Sequence, residues 1–288
     1  MQCLKCGRST ILWFVALLAL SAVRAPAATM TFTPDRDTVM ISGPIGATQL
    51  QNYNFGNATP LEVGGVVGND ERSILSFNVG ALGSPPITVQ SITLQLTAVG
   101  SSPAVTLTPE VHAITEANQA WVEGTGSGSG LAPPADNGMS TWNAMQSPGV
   151  PWAGSTGLGT PNTDYTSTAL SSLSIASYVD GDKINFNFTG TSTQLTALIA
   201  GWLADNIGLS RANPGLLLFD PNAQTNPGSL PRLSVGSREA ASGYIPELIV
   251  TYTPVSTPEP ASISLALIGM ALAGLGMARR KFGTSTVC

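Results

Sequence analysis

Three glutamates that lie close together in the sequence are the side chains best suited to acid–base chemistry. They are Glu110, Glu116 and Glu123, and the only histidine of the chain, His112, lies among them. Glycosidases need just two carboxylates about 5–10 Å apart, so these residues are candidates for such a pair. Spacing in a β-protein does not establish proximity, and the alternative is that Glu123 pins a loop beside Trp121 while His112 is structural.

Other catalytic chemistry has no signature in this sequence. The chain lacks the Gly-x-Ser-x-Gly motif of serine hydrolases, the glycine-rich motifs that bind nucleotides, and any His or Cys cluster for zinc. We therefore predict no catalytic residue. The alternative is a surface polysaccharide-degrading enzyme that uses a carboxylate pair.

Aspartates in turns are candidates for a cation site. Calcium takes several oxygen ligands, and Asp35, Asp37, Asp70 and the Asp180-Gly181-Asp182 turn carry them. Because these residues form no recognisable calcium loop, solvated turn residues are the favoured interpretation. We predict no metal site and no cofactor, with a structural calcium ion as the alternative.

A long loop region, residues 124–159, carries the aromatic side chains that would suit a ligand. It is rich in Gly, Ser and Pro, and Trp121 lies just before it. Aromatic faces stack on sugar rings while Asn, Asp and Glu accept hydrogen bonds from hydroxyls. We predict Trp142, Trp152 and Tyr165 as glycan-binding residues, and local packing is the alternative.

The elements that position these residues are mostly strands. Apolar residues alternate with polar ones in many short segments, and Gly, Pro and Asn clusters separate the segments. This pattern predicts a mainly β fold, an antiparallel, jelly-roll-like β-sandwich. The predicted strands are 37–41, 72–77, 92–96, 105–108, 111–114, 184–188, 216–219 and 247–252.

One segment has the helical period instead. After the hydroxyl residues 191–193, apolar side chains recur at intervals of three and four up to Leu203. This spacing predicts one short amphipathic helix with a hydroxyl N-cap that ends near 206–208. Its tryptophan, Trp202, is expected to anchor the core.

The N-terminus reads as a secretory signal peptide, residues 1–27. Two cations precede the apolar stretch 11–20, and Ala25 and Ala27 form a small-residue cleavage site. Two of the three cysteines leave with this signal and the third is the last residue of the chain. The body, 28–254, therefore has no disulfide and depends on its core.

The charge of the body excludes one class of partner. Between residues 28 and 258, six Lys/Arg face sixteen Asp/Glu, so the net charge there is −10 rather than the −5 of the whole chain. A body of this sign should not bind nucleic acid through its phosphates.

The C-terminal tail combines three parts that sort proteins rather than fold with them. A proline-rich linker, 255–260, precedes an apolar run, 261–278, and a basic tail, 279–288. The run reaches about 27 Å as a helix, just enough for a ~30 Å membrane core, and the cations place the tail in the cytoplasm. A buried C-terminal helix is the alternative. The residues that define this device are Pro258, Glu259, Pro260, Arg279, Arg280 and Lys281.

This order of parts resembles the PEP-CTERM sorting signal of Gram-negative, exopolysaccharide-producing bacteria. The resemblance implies recognition by an exosortase, a membrane protease that cuts near the Pro-Glu-Pro. It also implies export, an inner-membrane intermediate with the body in the periplasm, and delivery to the cell surface or extracellular matrix. The expected partners are the exosortase, the export machinery, the membrane and exopolysaccharide.

A second resemblance covers nearly all of residues 31–253. The motifs that carry it include Asp37-Thr38-Val39, Asn54-Phe55-Gly56, Arg72–Phe77, Trp121-Val122-Glu123-Gly124, Thr141-Trp142-Asn143 and Ser237-Arg238-Glu239. Their order resembles a DNRLRE domain, which is similar to a jelly-roll family of carbohydrate-binding modules. A Gly/Ser/Pro insertion at 125–138 departs from that pattern. The resemblance implies a structural or adhesive surface protein that binds polysaccharide.

The tail makes the first testable prediction. We expect the mature protein to end near Pro260 and to accumulate in the surface or matrix fraction. Deletion of Pro258-Glu259-Pro260 should leave the full-length tail in the membrane fraction. Intact mass and fractionation from the native host measure both. An unprocessed tail in the unaltered protein would mean an ordinary membrane-anchored protein.

Overall fold

The computed structural model describes residues 26–45, 48–66, 69–83, 87–101, 106–127, 138–208, 213–223, 232–255 and 269. The sheets and the core belong to one compact unit, residues 27–253. Four predicted segments lie outside the described residues except at positions 26, 27, 255 and 269. They are the signal peptide, the linker, the span and the basic tail, and they include Ala25 and the six sorting residues. No helix in the described ranges is long and apolar enough to span a membrane.

The first sheet has four antiparallel strands in the order β1-β13-β7-β10. They are β1 (Ala28–Phe32), β7 (Ile87–Thr97), β10 (Lys183–Asn187) and β13 (Glu247–Pro254). The predicted alternation is visible in β10, where Ile184 and Phe186 are buried and the residues between them are exposed. One face of this sheet therefore covers the core and the other faces water.

The second sheet has the order β12-β5-β6-β11-β8-β9, and β2 also pairs with β6. Its strands are β2 (Pro34–Ile41), β5 (Leu61–Val66), β6 (Asn69–Phe77), β8 (Glu110–Ala113), β9 (Ser171–Ser172), β11 (Leu216–Phe219) and β12 (Arg232–Val235). Strands β5 and β11 bind different segments of β6, 69–71 and 73–75. This arrangement confirms the predicted fold class, two antiparallel sheets, of which this one is curled.

Shorter elements complete the chain. Strands β3 (Pro44–Ile45) and β4 (Thr48–Gln49) form a small hairpin. Single 3-10 turns cover Leu50–Asn52, Gly80–Leu82 and Glu116–Asn118.

The strand predicted at 105–108 is wrong in the part that the structure describes. Leu107 forms only an isolated bridge with Ile175. The next amide, of Thr108, donates to the Asp220 carboxylate at 3.0 Å instead of to a neighbouring strand. A side-chain acceptor thus ends the ladder after one residue pair.

The predicted helix is present as α1, Ser192–Gly208. Thr191 and Gln194 form a capping box: the Gln194 amide donates to Thr191 Oγ1, and the Thr191 amide donates to Gln194 Oε1 at 2.8 Å. Trp202 is 4% exposed and belongs to the main core, as predicted.

Two separate hydrophobic clusters stabilise the unit. The larger cluster lies between the sheets and α1, and includes Leu75, Leu94, Phe186, Ile199 and Trp202. The smaller cluster joins strand residues of the second sheet to the loops. Its members are Met40, Ile74, Ile114, Trp121, Met145, Trp152, Leu158, Tyr165, Leu217 and Phe219.

The larger cluster predicts a stability effect for Phe186, which is 0% exposed. Phe186→Ala should lower the free energy of unfolding by about 3–5 kcal/mol, because a ring-sized cavity replaces its contacts. Val179→Ala is the control, since Val179 is 60% exposed, and should change it by less than about 0.5 kcal/mol. Urea denaturation measures both, and equal midpoints would contradict this core assignment.

Candidate functional site

Two of the three predicted glycan-binding aromatics are buried. Trp152 is 3% exposed and Tyr165 is 6% exposed, both inside the smaller cluster. The indole N–H of Trp152 donates to the Thr141 carbonyl at 3.0 Å. The Tyr165 ring packs edge-on against His112 and Phe219. Neither ring presents an open face for stacking.

Trp142 is the member of the set that keeps exposed surface. It is half-buried, and the guanidinium of Arg72 lies 4.9 Å from its ring centroid. Gly157 passes so close that an added Cβ would lie 2.5 Å from the indole. Glycine is therefore required at 157, and the indole orientation is fixed by packing.

Buried polar groups hold the loops in place. Asp164 is fully buried, and its carboxylate accepts the amides of Gly154, Ser155 and Thr160 at 2.7–3.0 Å. Arg72 donates to the carbonyls of Gly157 and Leu158. Backbone groups of residues 154–160 are thus held against the second sheet by buried side chains.

The three candidate acid–base residues, Glu110, Glu116 and Glu123, have different surroundings. Glu110 contacts Nε2 of His112 at 3.0 Å, and the other ring nitrogen of His112 contacts the Thr166 carbonyl at 2.6 Å. Glu116 is exposed in a 3-10 turn. Glu123 turns toward Asp37 instead.

Glu123 belongs to a group of charged residues that are in contact although they lie far apart in the sequence. Its Oε1 accepts the Asp37 amide at 2.7 Å and Nε of Arg238 at 3.1 Å, and its Oε2 binds Nη2 of Arg238 at 2.7 Å. Arg238 also pairs with Glu239 at 2.9 Å, and its amide donates to Oδ2 of Asp37 at 2.7 Å. We call Asp37, Glu123, Arg238 and Glu239 the acidic cluster. Glu123 pins a loop, and its partners are strand β2 and the turn before β13.

The acidic cluster contains carboxylate oxygens without partners. Asp37 is 1% exposed, and its Oδ1 accepts no hydrogen bond; Oε2 of Glu239 is also buried without a partner. Burial raises the pKa of Asp37 to about 8, against the opposing effect of the Arg238 amide. Burial also raises the pKa of Glu123.

The cation candidates of the sequence do not come together. Asp70 pairs with Arg72, Asp180 accepts the amide of Gly100, and Asp182 accepts the amide of Val179 in its own turn. Among the described residues, one group of three acids has carboxylate oxygens within 4.8 Å of one another: Asp37, Glu123 and Glu239.

A groove of about 390 Å³ lies elsewhere on the molecule. Residues 173–178 and 182–185 line it. None of the acidic-cluster residues or predicted glycan-binding aromatics belongs to this lining.

Sequence reasoning missed the acidic cluster as a site. The sequence suggested Asp37 as a cation ligand and Glu123 as a catalytic carboxylate. Arg238 and Glu239 were noted only as part of a motif of the DNRLRE resemblance. Arg238 follows Asp37 by 201 positions, so no spacing rule joins them. The resemblance did contain a signal, because all four residues lie in its motifs.

Comparison with known proteins identifies the tail. Residues 256–281 match the PEP-CTERM protein-sorting motif. None of the curated proteins compared with the chain matches it. The motif implies a protein that is exported, processed by an exosortase and sorted to the cell surface.

The raised pKa values predict how stability depends on pH. Burial raises the pKa of Asp37 to about 8 and that of Glu71 to about 7. Each folded carboxyl binds its proton more tightly than the unfolded one, so its stabilisation is complete below the unfolded pKa and lost as pH rises through the folded pKa. The free energy of unfolding should therefore fall between about pH 5 and 8, by at most about 1.4 kcal/mol per unit and group.

Urea denaturation in EDTA measures this slope. Asp37→Asn should abolish the fall in the free energy of unfolding between about pH 7 and 8, because Glu71 has already ionised in that range. Glu116→Gln, at an exposed carboxylate, should keep the whole slope. A profile of the unaltered protein that is flat over this range would contradict the buried protonated state of Asp37.

Proposed function

We propose that this exosortase-sorted protein is a non-catalytic surface or matrix component whose β-sandwich binds polysaccharide. The observation that carries the proposal is the sorting motif at 256–281. Bacteria that use this signal produce exopolysaccharide, so the sorted body is delivered into a glycan-rich layer. The tail passes through an inner-membrane intermediate, with its apolar run as the span.

We infer further that the body is a DNRLRE-type domain. Residues of four of its motifs meet in three dimensions. Asn54 donates to the carbonyl of Glu123 at 2.6 Å, and Glu123 binds Asp37 and Arg238. Motifs that are individually weak thus form one hydrogen-bonded network, as expected if they define one domain family.

Two surfaces of the sandwich support glycan binding. Trp142 presents a fixed, half-buried indole beside the loops. On the first sheet, Thr93 donates to Asn187 at 2.8 Å and Gln95 donates to Asn185 at 2.9 Å across neighbouring strands. Uncharged amides and hydroxyls of this kind match sugar hydroxyls, and the aromatic face matches the apolar face of a sugar ring.

The enzyme alternative has one observation in its favour. Asp37, Glu123 and Glu239 bring carboxylate oxygens within 4.8 Å, and retaining glycosidases place two carboxyls about 5–5.5 Å apart. However, Arg238 binds both oxygens of Glu123, and the groove at 173–185 contains none of the three acids. A catalytic carboxylate must be free to reach a substrate, so binding without turnover is the better-supported function.

Retention on the host's immobilised exopolysaccharide tests the proposal. We expect Trp142→Ala to weaken retention of the mature exported protein about tenfold, because stacking and its buried area contribute about 1.5 kcal/mol. Trp142→Phe should keep part of it. Val179→Ala, at an exposed aliphatic position, is the matched control.

Thermal unfolding of each variant separates lost binding from lost folding. Equal retention of a folded Trp142→Ala variant would contradict the loop surface as the site. Release of reducing ends from the polysaccharide, abolished by Glu123→Gln, would replace the binding function with the enzyme alternative.

A further inference from the structure

Three carboxylates of the acidic cluster converge from distant segments. Asp37 lies in β2, Glu123 follows Trp121, and Glu239 lies in the turn before β13. One carboxylate oxygen of each residue lies within 4.8 Å of one oxygen of each of the other two. Two ligands of one calcium ion are at most about 5 Å apart, because each calcium–oxygen distance is about 2.3–2.6 Å. The spacing therefore fits a single ion.

A second observation points to a ligand there. The Asp37 side chain is 1% exposed, yet its Oδ1 accepts no hydrogen bond, and the same holds for the buried Oε2 of Glu239. A buried carboxylate oxygen without a donor loses its hydration and gains nothing in return. Oε2 of Glu123 accepts one guanidinium hydrogen bond and keeps a lone pair.

The charges of the acidic cluster leave room for a divalent ion. Arg238 compensates one of the three carboxylates through its contacts with Glu123 and Glu239. Arg36, which also lies near Glu123, donates its hydrogen bonds to backbone carbonyls of Gln119, Trp121 and Asn213. Once Asp37 is ionised, the charges of the three carboxylates, Arg238 and Arg36 sum to −1, so a divalent cation is attracted to the buried oxygens and takes the place of the proton that burial otherwise keeps on Asp37.

We propose that Asp37, Glu123 and Glu239 form a calcium site that fastens β2, the loop after Trp121 and the turn before β13. Calcium is favoured over a softer metal because all three ligands are carboxylates. Water and backbone carbonyls complete the six to eight ligands of such an ion. The site fills after export, where calcium is more abundant, and it strengthens the body outside the cell.

Thermal unfolding of the mature exported protein tests the site. In about 10 mM CaCl2, Tm should rise by about 3–10 °C over its value in EDTA, given the Kd of about 10⁻⁴–10⁻³ M of extracellular calcium modules. Glu239→Gln should fold and should lose most of this shift. Glu116→Gln, an exposed carboxylate outside the cluster, should keep it. Asp37→Asn should remove more of the calcium-induced Tm shift than Glu239→Gln does. If Asp37→Asn does not fold, Glu239→Gln alone still tests the site.

Terbium luminescence provides a direct readout. Trp121 lies two residues before Glu123 and can sensitise a bound Tb³⁺ ion, so excitation of tryptophan should give terbium emission that CaCl2 displaces. Glu239→Gln should weaken Tb³⁺ binding at least about tenfold. Glu116→Gln is again the control. If Glu239→Gln gave the same terbium emission as Glu116→Gln, the assignment would be wrong.

Arg238→Ala distinguishes the calcium site from a plain ion-pair network. It removes the guanidinium and keeps the backbone amide that Asp37 accepts, so it should destabilise the protein in EDTA and bind calcium more tightly. If calcium fails to restore the stability of Arg238→Ala, and Tm of the unaltered protein is equal in CaCl2 and EDTA, the proposal is wrong. A proton, rather than a cation, then stabilises the buried oxygens.

Discussion

The carboxylate of Glu123 connects parts of the body that lie far apart in sequence. It accepts hydrogen bonds from the amide of Asp37 in β2 and from Nε and Nη2 of the Arg238 guanidinium. Asp37 and Arg238 are 201 residues apart and are also directly hydrogen-bonded. The body contains no cysteine, so these polar contacts and the hydrophobic core join distant segments without the disulfides that many exported domains use.

Burial of charge also determines where the long loop lies. Strand β6 is buried along its whole length, including Asp70 and Arg72. A buried guanidinium must satisfy its donors, and Arg72 does so with Asp70 and with the carbonyls of Gly157 and Leu158. The loop is consequently drawn onto the sheet, and Trp152 becomes part of a core. The part of the loop that the structure describes from residue 138 onward is thus held by the strand beneath it.

The function that we propose depends on surfaces rather than on reactive groups. The sorting motif implies delivery to the cell surface, where we propose that the protein binds polysaccharide and calcium. An uncharged face of amides and hydroxyls and one fixed indole suit the former, and the acidic cluster suits the latter. The two features lie on different residues, so the proposed glycan binding and the proposed calcium binding can be tested separately.

The sequence by itself determined the properties that depend on local order along the chain. Alternation of apolar residues predicted the strands, the hydroxyl residues 191–193 predicted the start of the helix, and the tail carried the sorting signal. Only the tertiary structure decided which side chains are exposed. Trp142 and Trp152 are the same residue type in the same loop, yet one keeps exposed surface and the other does not. Likewise, Asp37 and Glu239 meet through long-range strand pairing. Burial and proximity depend on contacts between distant segments, and no local pattern encodes them.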